Sequence, residues 1–413
     1  MTLTALPKRV GLGGATLLSF NGAVGAGIFA LPAALAADMG PWSPWLLPAV
    51  GLIVLLIAIP FAMAAASMPG DGGPVTYGAT FGRAAGFELG WIYYIARVSA
   101  FAANVHVLVD YLSRWLDLSP SPWLHSALIL GAIMLIAWVN ILGMTQALRL
   151  LGGLTLLKSL PLLGLALYAL AQFPLAPLGP PPSLGAVEAS ILLAFYAFVG
   201  FESSVAVSGE TRDARRSIPR ALLLTIGAIA LLYFLVQLAF VAVAPLVPVG
   251  EKAPLLALGT ALLGPAGAAL VLVTAVASLT GNLHSNMAGS PRVSHALAMR
   301  GDLPSWLAVI HPRYFSPHRS ILLMAFLAGG LALSGGFVWL AAVSILARMI
   351  VYAVTIAAWL QHAAPAAGQR LLGLVGIFLS AVVASQTGLT AWTTLAMLAV
   401  AGALLFLVTR RAR

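Results

Sequence analysis

Asn21-Gly22-Ala23-Val24-Gly25-Ala26-Gly27-Ile28-Phe29 places three glycines within six residues of an apolar stretch running from residue 11 to 37. That stretch is long enough to cross a bilayer, which takes about 20 predominantly apolar residues. Each glycine weakens a helix by up to about 1 kcal/mol relative to alanine, so the helix is expected to unwind near mid-membrane. Lipid cannot satisfy the N–H and C=O groups freed there, whereas a cavity can. Small residues also let a neighbouring helix approach closely. The segment is therefore open to two readings, a binding break or a packing face.

Eleven further stretches of comparable character follow, at about 44–67, 86–113, 124–142, 150–172, 185–208, 218–245, 261–287, 319–334, 337–360, 371–387 and 390–409. The ninth of the twelve is short, and Ser334-Gly335-Gly336 is its weakest boundary. Across the 413 residues, 61% are hydrophobic and 8% charged, with a mean hydropathy of +1.02. A soluble chain carries about a quarter charged residues. The expected fold is thus an all-α integral membrane protein of about twelve transmembrane helices, forming one domain over 1–413. Lys8 and Arg9 ahead of an apolar run resemble a secretory leader, but no cleavage-like site closes the run, which reads as a first span.

The net charge of +10 invites a nucleic-acid reading. The order of spans answers it. With Lys8 and Arg9 on the cytoplasmic side, the same side receives Arg83, Arg149, Arg212, Arg215, Arg216, Arg220, Arg292, Arg300, Arg313, Arg319, Arg370, Arg410, Arg411 and Arg413. Only Arg114 and Lys252 fall outside, and Arg97, Lys158 and Arg348 fall within spans. This bias follows the positive-inside rule with both termini cytoplasmic. The basic balance is topology, and no nucleic-acid partner is expected.

The sixth span holds the second clue, Phe195-Tyr196-Ala197-Phe198-Val199-Gly200-Phe201-Glu202-Ser203-Ser204, a lone glycine followed by a carboxylate and two hydroxyls. Interrupted helices in matching positions of two halves mark an inverted-repeat transporter. Half-helix N-termini there receive a carboxylate and freed carbonyls receive an ammonium or a cation. An amino acid carries both groups.

Taken together, Gly22 to Phe29, Gly72-Gly73-Pro74-Val75-Thr76-Tyr77, Phe195 to Glu202, and Gly209-Glu210-Thr211-Arg212 leading to Ile218-Pro219-Arg220-Ala221 resemble the amino acid–polyamine–organocation transporters over nearly the whole chain. The resemblance implies a five-plus-five inverted repeat with helices 1 and 6 broken. Repeat one would occupy about 11–172 and repeat two about 185–360, with two further helices over 371–409. It implies a substrate carboxylate at Gly25, Ala26 and Gly27 with Ala23 beside it. It also implies an amine at the carbonyls of Tyr196, Ala197 and Val199, and Tyr196 as a gate. Many members carry Ser or Thr where this chain has Ala26, so carboxylate binding would rest on backbone amides.

Lys158, about eight residues from the cytoplasmic start of the fifth span, either snorkels to the interface or stays buried. The resemblance implies that it fills the space sodium takes in sodium-coupled relatives, bridging the first span to Ser278, Asn282 and Ser285 of the eighth; Lys158 is also a candidate carrier of a coupled proton. Arg97 and Arg348 could pair with Glu202 or Glu88, or point into a water-filled vestibule. Asp110 and Arg114, at i,i+4, are expected to pair on the surface. His106, His284 and Glu202 are candidates for proton relay, with hydrogen bonding or packing the plainer alternative.

No cysteine, no Gly-x-x-x-x-Gly-Lys-Ser/Thr loop and no His-Glu-x-x-His pair occurs, so no cofactor, metal or ATPase is expected. A membrane enzyme would need clustered acids or histidines, and a channel a polar stripe. The acids here are scattered one per span. The expected function is secondary transport of neutral amino acids (small, branched or methionine-like) in a bacterial inner membrane. Cationic amino acids or polyamines are the alternative, and no obligatory protein partner is expected.

Overall fold

The computed structural model describes residues 10–67, 74–118, 121–142, 147–175, 177–204, 211–248 and 250–411, with the backbone only at 147–154 and 215. Lys8, Arg9, Gly72, Gly73, Gly209, Glu210 and Arg413 lie outside the described residues, as do the side chains of Arg149 and Arg215. The described chain is helical, and its one extended pairing is an isolated bridge between Val10 and Thr211.

The first span is two helices, α1 (Leu12–Ala23) and α2 (Ala26–Met39), and α3 (Ser43–Ser67) is the second. A short α4 (Pro74–Gly78) precedes α5 (Arg83–Trp115), α6 (Pro122–Ile141) and α7 (Ala147–Gln172). The sixth span begins as α8 (Leu184–Ala197), followed by α9 (Ala214–Val243) and α10 (Pro254–Gly289). After α11 (Pro291–Met299) come α12 (His318–Ser334), α13 (Phe337–His362), α14 (Ala367–Ser385) and α15 (Leu389–Arg411). Among the described residues ten helical segments are long and apolar enough to cross a membrane, α2 with α3 counting as one, and α12 is a shorter apolar helix. Read as twelve crossings, with the broken span counted once, they bring both ends of the chain to one face, called here the termini face.

Two departures from the sequence expectation have local causes. The span expected over 185–208 stops as a helix at Ala197, because Gly200 adopts φ +113° and hands over to a short 3₁₀ turn at Phe201–Ser203. The span expected from 261 begins at Pro254 and kinks at Gly264 (φ +59°), just before Pro265. A residue with a Cβ rarely adopts such φ values, and proline cannot donate into the preceding turn. The lead-in piece folds back so closely that a Cβ on Gly259 would lie 2.6 Å from Gly267 O. The weak boundary at 334–336 is a true one, with Gly335 and Gly336 separating two helices.

The bundle is organised around α5, whose residues are buried along almost its entire length. It packs on α13, α10, α4 and α12, while α3 and α9 pack against each other. Encirclement explains why α5 tolerates Asn104, His106 and Arg97: it faces protein and cavity on all sides, where polar groups find partners. On the far face, Tyr111 of α5 donates its hydroxyl to Phe29 O at 2.7 Å and accepts Leu255 N at 3.3 Å, tying α2 to the lead-in of α10.

Candidate functional site

Between α1 and α2 only Val24 and Gly25 leave the helix, and Gly25 N turns back to Ala23 O at 2.9 Å. The break exposes the carbonyl end of α1 and the amide end of α2, which carry partial negative and positive charge. At the amide end, Ala26 N donates to Asn104 Oδ1 at 2.7 Å. The third span thus supplies an acceptor for the first free amide of α2. The carbonyl end of α8 arrives beside it. Tyr196 O accepts Val199 N at 3.1 Å as that helix tightens.

The two breaks touch backbone to backbone. A Cβ on Gly22 would lie 2.5 Å from Gly200 O and also meet Ser203 Oγ. A Cβ on Gly27 would lie 2.5 Å from Ala197 Cα. Gly22 and Gly27 are therefore packing glycines, whereas Gly25 faces the side-chain amides of Asn104 and Asn282. The packing reading holds at Gly22 and Gly27, and the chain unwinds at Val24 and Gly25.

Lys158 is 3% exposed. Its ammonium donates to Val24 O at 3.2 Å and Asn21 O at 3.4 Å, with the Phe20 ring 5.9 Å away. Ser278 Oγ donates to Val24 O at 3.2 Å, and Asn282 Nδ2 to Gly22 O at 3.0 Å. Span five and span eight therefore meet at the same freed carbonyls of α1. Lysine does not snorkel here, because the carbonyl end of a broken helix is nearer than the interface. Ser285 lines the cavity instead of joining this group.

Glu202 and Arg348 are each 2% exposed and form an ion pair at 2.9 Å. Arg348 Nη1 also donates to Ala96 O at 3.1 Å and Ser344 Oγ at 2.9 Å. The second oxygen of Glu202 accepts Tyr352 OH and Gly200 N, both at 3.0 Å. Every charge is matched, which a buried pair requires if it is not to be strongly destabilising. The carboxylate holds the left-handed glycine of the sixth span in place.

Between the breaks is a cavity. Ala23, Gly25, Ala26, Gly27, Tyr196 and Val199 line it from the broken spans. Asn104, Arg97, Asn282, Ser285, Asn286 and Arg348 contribute the polar wall. Ser285, near the termini-face end of α10, is exposed, whereas Tyr196 is buried and stacks edge-on against Phe337 with centroids 5.3 Å apart. The cavity thus opens toward the termini face and is closed on the far side. Tyr196 OH additionally donates to Ala100 O at 3.4 Å.

The remaining expectations resolve individually. Asp110 and Arg114 do not pair with each other: His125 Nε2 meets Asp110 at 3.1 Å, and Arg114 meets Glu251 at 3.2 Å. Each finds a partner across a helix–helix or helix–loop gap that sequence spacing does not reveal. His106 Nε2 sits 3.1 Å from Ala332 O, and His284 Nδ1 lies 3.0 Å from the Asn140 amide, both away from the cavity wall. Asn104 and Asn286 are missed by sequence reasoning. A lone amide in an apolar span is the signal that could have found them.

The family model described as amino acid permease matches residues 10–409. An uncharacterized transporter of Mycobacterium tuberculosis is 28% identical over 99% of this chain and 93% of its own. The cadaverine/lysine antiporter of Escherichia coli is 29% identical over 55% of this chain and 52% of its own. The branched-chain amino acid permease BcaP of Bacillus subtilis is 25% identical over 76% and 72% respectively. With the family model spanning the chain and the broken first and sixth spans in place, the protein belongs to the amino acid permeases of the amino acid–polyamine–organocation superfamily.

Proposed function

We propose that the protein moves neutral amino acids across the cytoplasmic membrane by alternating access, independently of sodium. The observation that carries the choice of a neutral solute is the full engagement of Glu202 by Arg348, Tyr352 and Gly200 N. A cationic side chain entering the cavity would need a carboxylate, and an unpaired charge in such a place is expensive. The amide end of α2 suits the solute's carboxylate, taken by Gly25, Ala26 and Gly27 beside Ala23. The carbonyl end of α8, at Tyr196, Ala197 and Val199, suits its ammonium. Ala23, Ala26, Ala100 and Val199 leave room for an aliphatic side chain.

Lys158 supports the absence of a sodium requirement, since its ammonium already occupies the freed carbonyls that a cation would need. Together with Ser278 and Asn282 it would hold α1 and release it when the span tilts, coupling to a proton or to exchange. Tyr196 would act as the gate on the far side. Residues 11–172 and 185–360 are read as inverted repeats rocking about the site, with 371–409 appended. The cationic termini face is read as cytoplasmic.

The relative named for cadaverine and lysine favours a second reading, transport of cationic amino acids or polyamines, in which Glu202 would exchange Arg348 for the solute. Uptake of radiolabelled amino acids into sodium-free proteoliposomes, with and without an imposed proton gradient, separates the two. Saturable flux competed by one neutral amino acid supports the proposal. Flux with arginine or putrescine alone would replace it by the second reading.

A further inference from the structure

Arg97 lines the cavity, and its guanidinium is oriented by a closed loop of hydrogen bonds. Nε donates to Ser290 Oγ at 3.0 Å, Ser290 Oγ donates to Asn286 Oδ1 at 2.5 Å, and Asn286 Nδ2 donates to Arg97 O at 3.1 Å. Tyr93 is a further neighbour. A Cβ on Gly289 would lie in contact with Nη2, at 3.6 Å, so the glycine leaves that side of the guanidinium uncovered. Among the described residues no carboxylate pairs with Arg97; the ion pairs present involve Arg83, Arg114, His125, Arg300 and Arg348. A guanidinium held through Nε, with Tyr93 as a hydrogen-bonding neighbour, presents a fork of terminal nitrogens whose geometry matches a carboxylate.

The position of this fork matters. Ser290 follows the last turn of α10, so Arg97 stands between the breaks and the opening on the termini face. A solute leaving the amide end of α2 toward that opening would pass the fork. We infer that Arg97 is a second carboxylate-binding station on the exit side of the cavity, and that the same charge excludes solutes with a net positive charge. This rests on the proposed transport of neutral amino acids. It adds a residue that neither the broken helices nor Lys158 requires. With Glu202 neutralised by Arg348, Arg97 and Lys158 leave the field in the cavity positive. At an effective dielectric of about 20, a unit charge felt across roughly 8 Å alters binding by on the order of thirtyfold.

Norleucine and lysine test this, because they share a carboxylate and a chain of similar length and differ in the terminal ammonium. In proteoliposomes exchanging a radiolabelled neutral amino acid, lysine should compete at least roughly tenfold less well than norleucine, and Nε-acetyl-lysine should compete better than lysine. Arg97→Gln should narrow the norleucine-to-lysine ratio severalfold. Arg97→Lys should keep the ratio while weakening solute binding from the termini face, since it retains charge but loses the fork. An unchanged ratio in Arg97→Gln, with neutral flux intact, would overturn the station and leave the proposed function standing. Lysine competing as well as norleucine in the unaltered protein would overturn it without any variant. Flux with cationic solutes alone, and none with neutral ones, would instead overturn the proposed function.

Discussion

Asn104 Oδ1 lies 2.7 Å from Ala26 N, so the third span caps the second half of the first. The solute carboxylate proposed for the same amide must displace that cap. Asn104→Leu leaves the amide without an acceptor, a loss of about 1–3 kcal/mol. It should lower the melting temperature of the ligand-free protein, while a bound amino acid restores more stability than in the parent. Thermal unfolding with and without amino acid measures both. Identical melting and identical ligand shifts would count against the shared amide.

The Glu202–Arg348 pair predicts strong asymmetry between single and double changes. Glu202→Gln or Arg348→Met alone leaves a buried charge unpaired, at about 3–5 kcal/mol. The double variant should regain much of that loss, because neither charge remains to be compensated. Unfolding in detergent across the three variants and the parent completes the cycle, and simple additivity would contradict the pairing.

Lys158→Ala removes the ammonium from Val24 O and Asn21 O. Leaving carbonyls short of a donor at about 1–3 kcal/mol should lower flux roughly tenfold or more. Sodium should neither be needed by the parent nor alter its flux. Flux equal to the parent's in Lys158→Ala would remove the lysine from the mechanism.

The glycines of the first span should not respond alike. Gly27→Ala drives a Cβ to 2.5 Å from Ala197 Cα, a backbone atom that cannot yield without separating α2 from α8. Overpacking of this kind costs about 1–3 kcal/mol and should abolish flux. Gly13→Ala meets nothing within 4 Å and should be neutral or mildly stabilising. Equal flux in the two variants would argue against close packing of the breaks.

Local chain properties made the breaks legible in advance. Clustered glycines and an isolated glycine before a carboxylate disfavour a helix wherever they occur, and no tertiary knowledge is needed to see it. Burial of Lys158 was likewise open to reasoning from its depth in the span. Which side of α5 faces the cavity was not, because that span is surrounded and carries no amphipathic stripe. Hence Asn104 went unnoticed and Arg97 could not be placed. The expected Asp110–Arg114 contact failed for the same reason: both residues sit where α6 and the loop before α10 bring His125 and Glu251 closer than a helical neighbour. The fold-back before Gly264 was invisible because its residues are as apolar as the span they precede.

Tyr111 gives and receives at once, holding Phe29 O on one side and Leu255 N on the other. Neither α2 nor the Pro254–Leu263 piece can withdraw from the far face without surrendering the same hydroxyl. The two should therefore behave as one moving part with a single time constant. Spectroscopic reporters placed on each would record one relaxation, and exchanging the tyrosine for phenylalanine would split it into two.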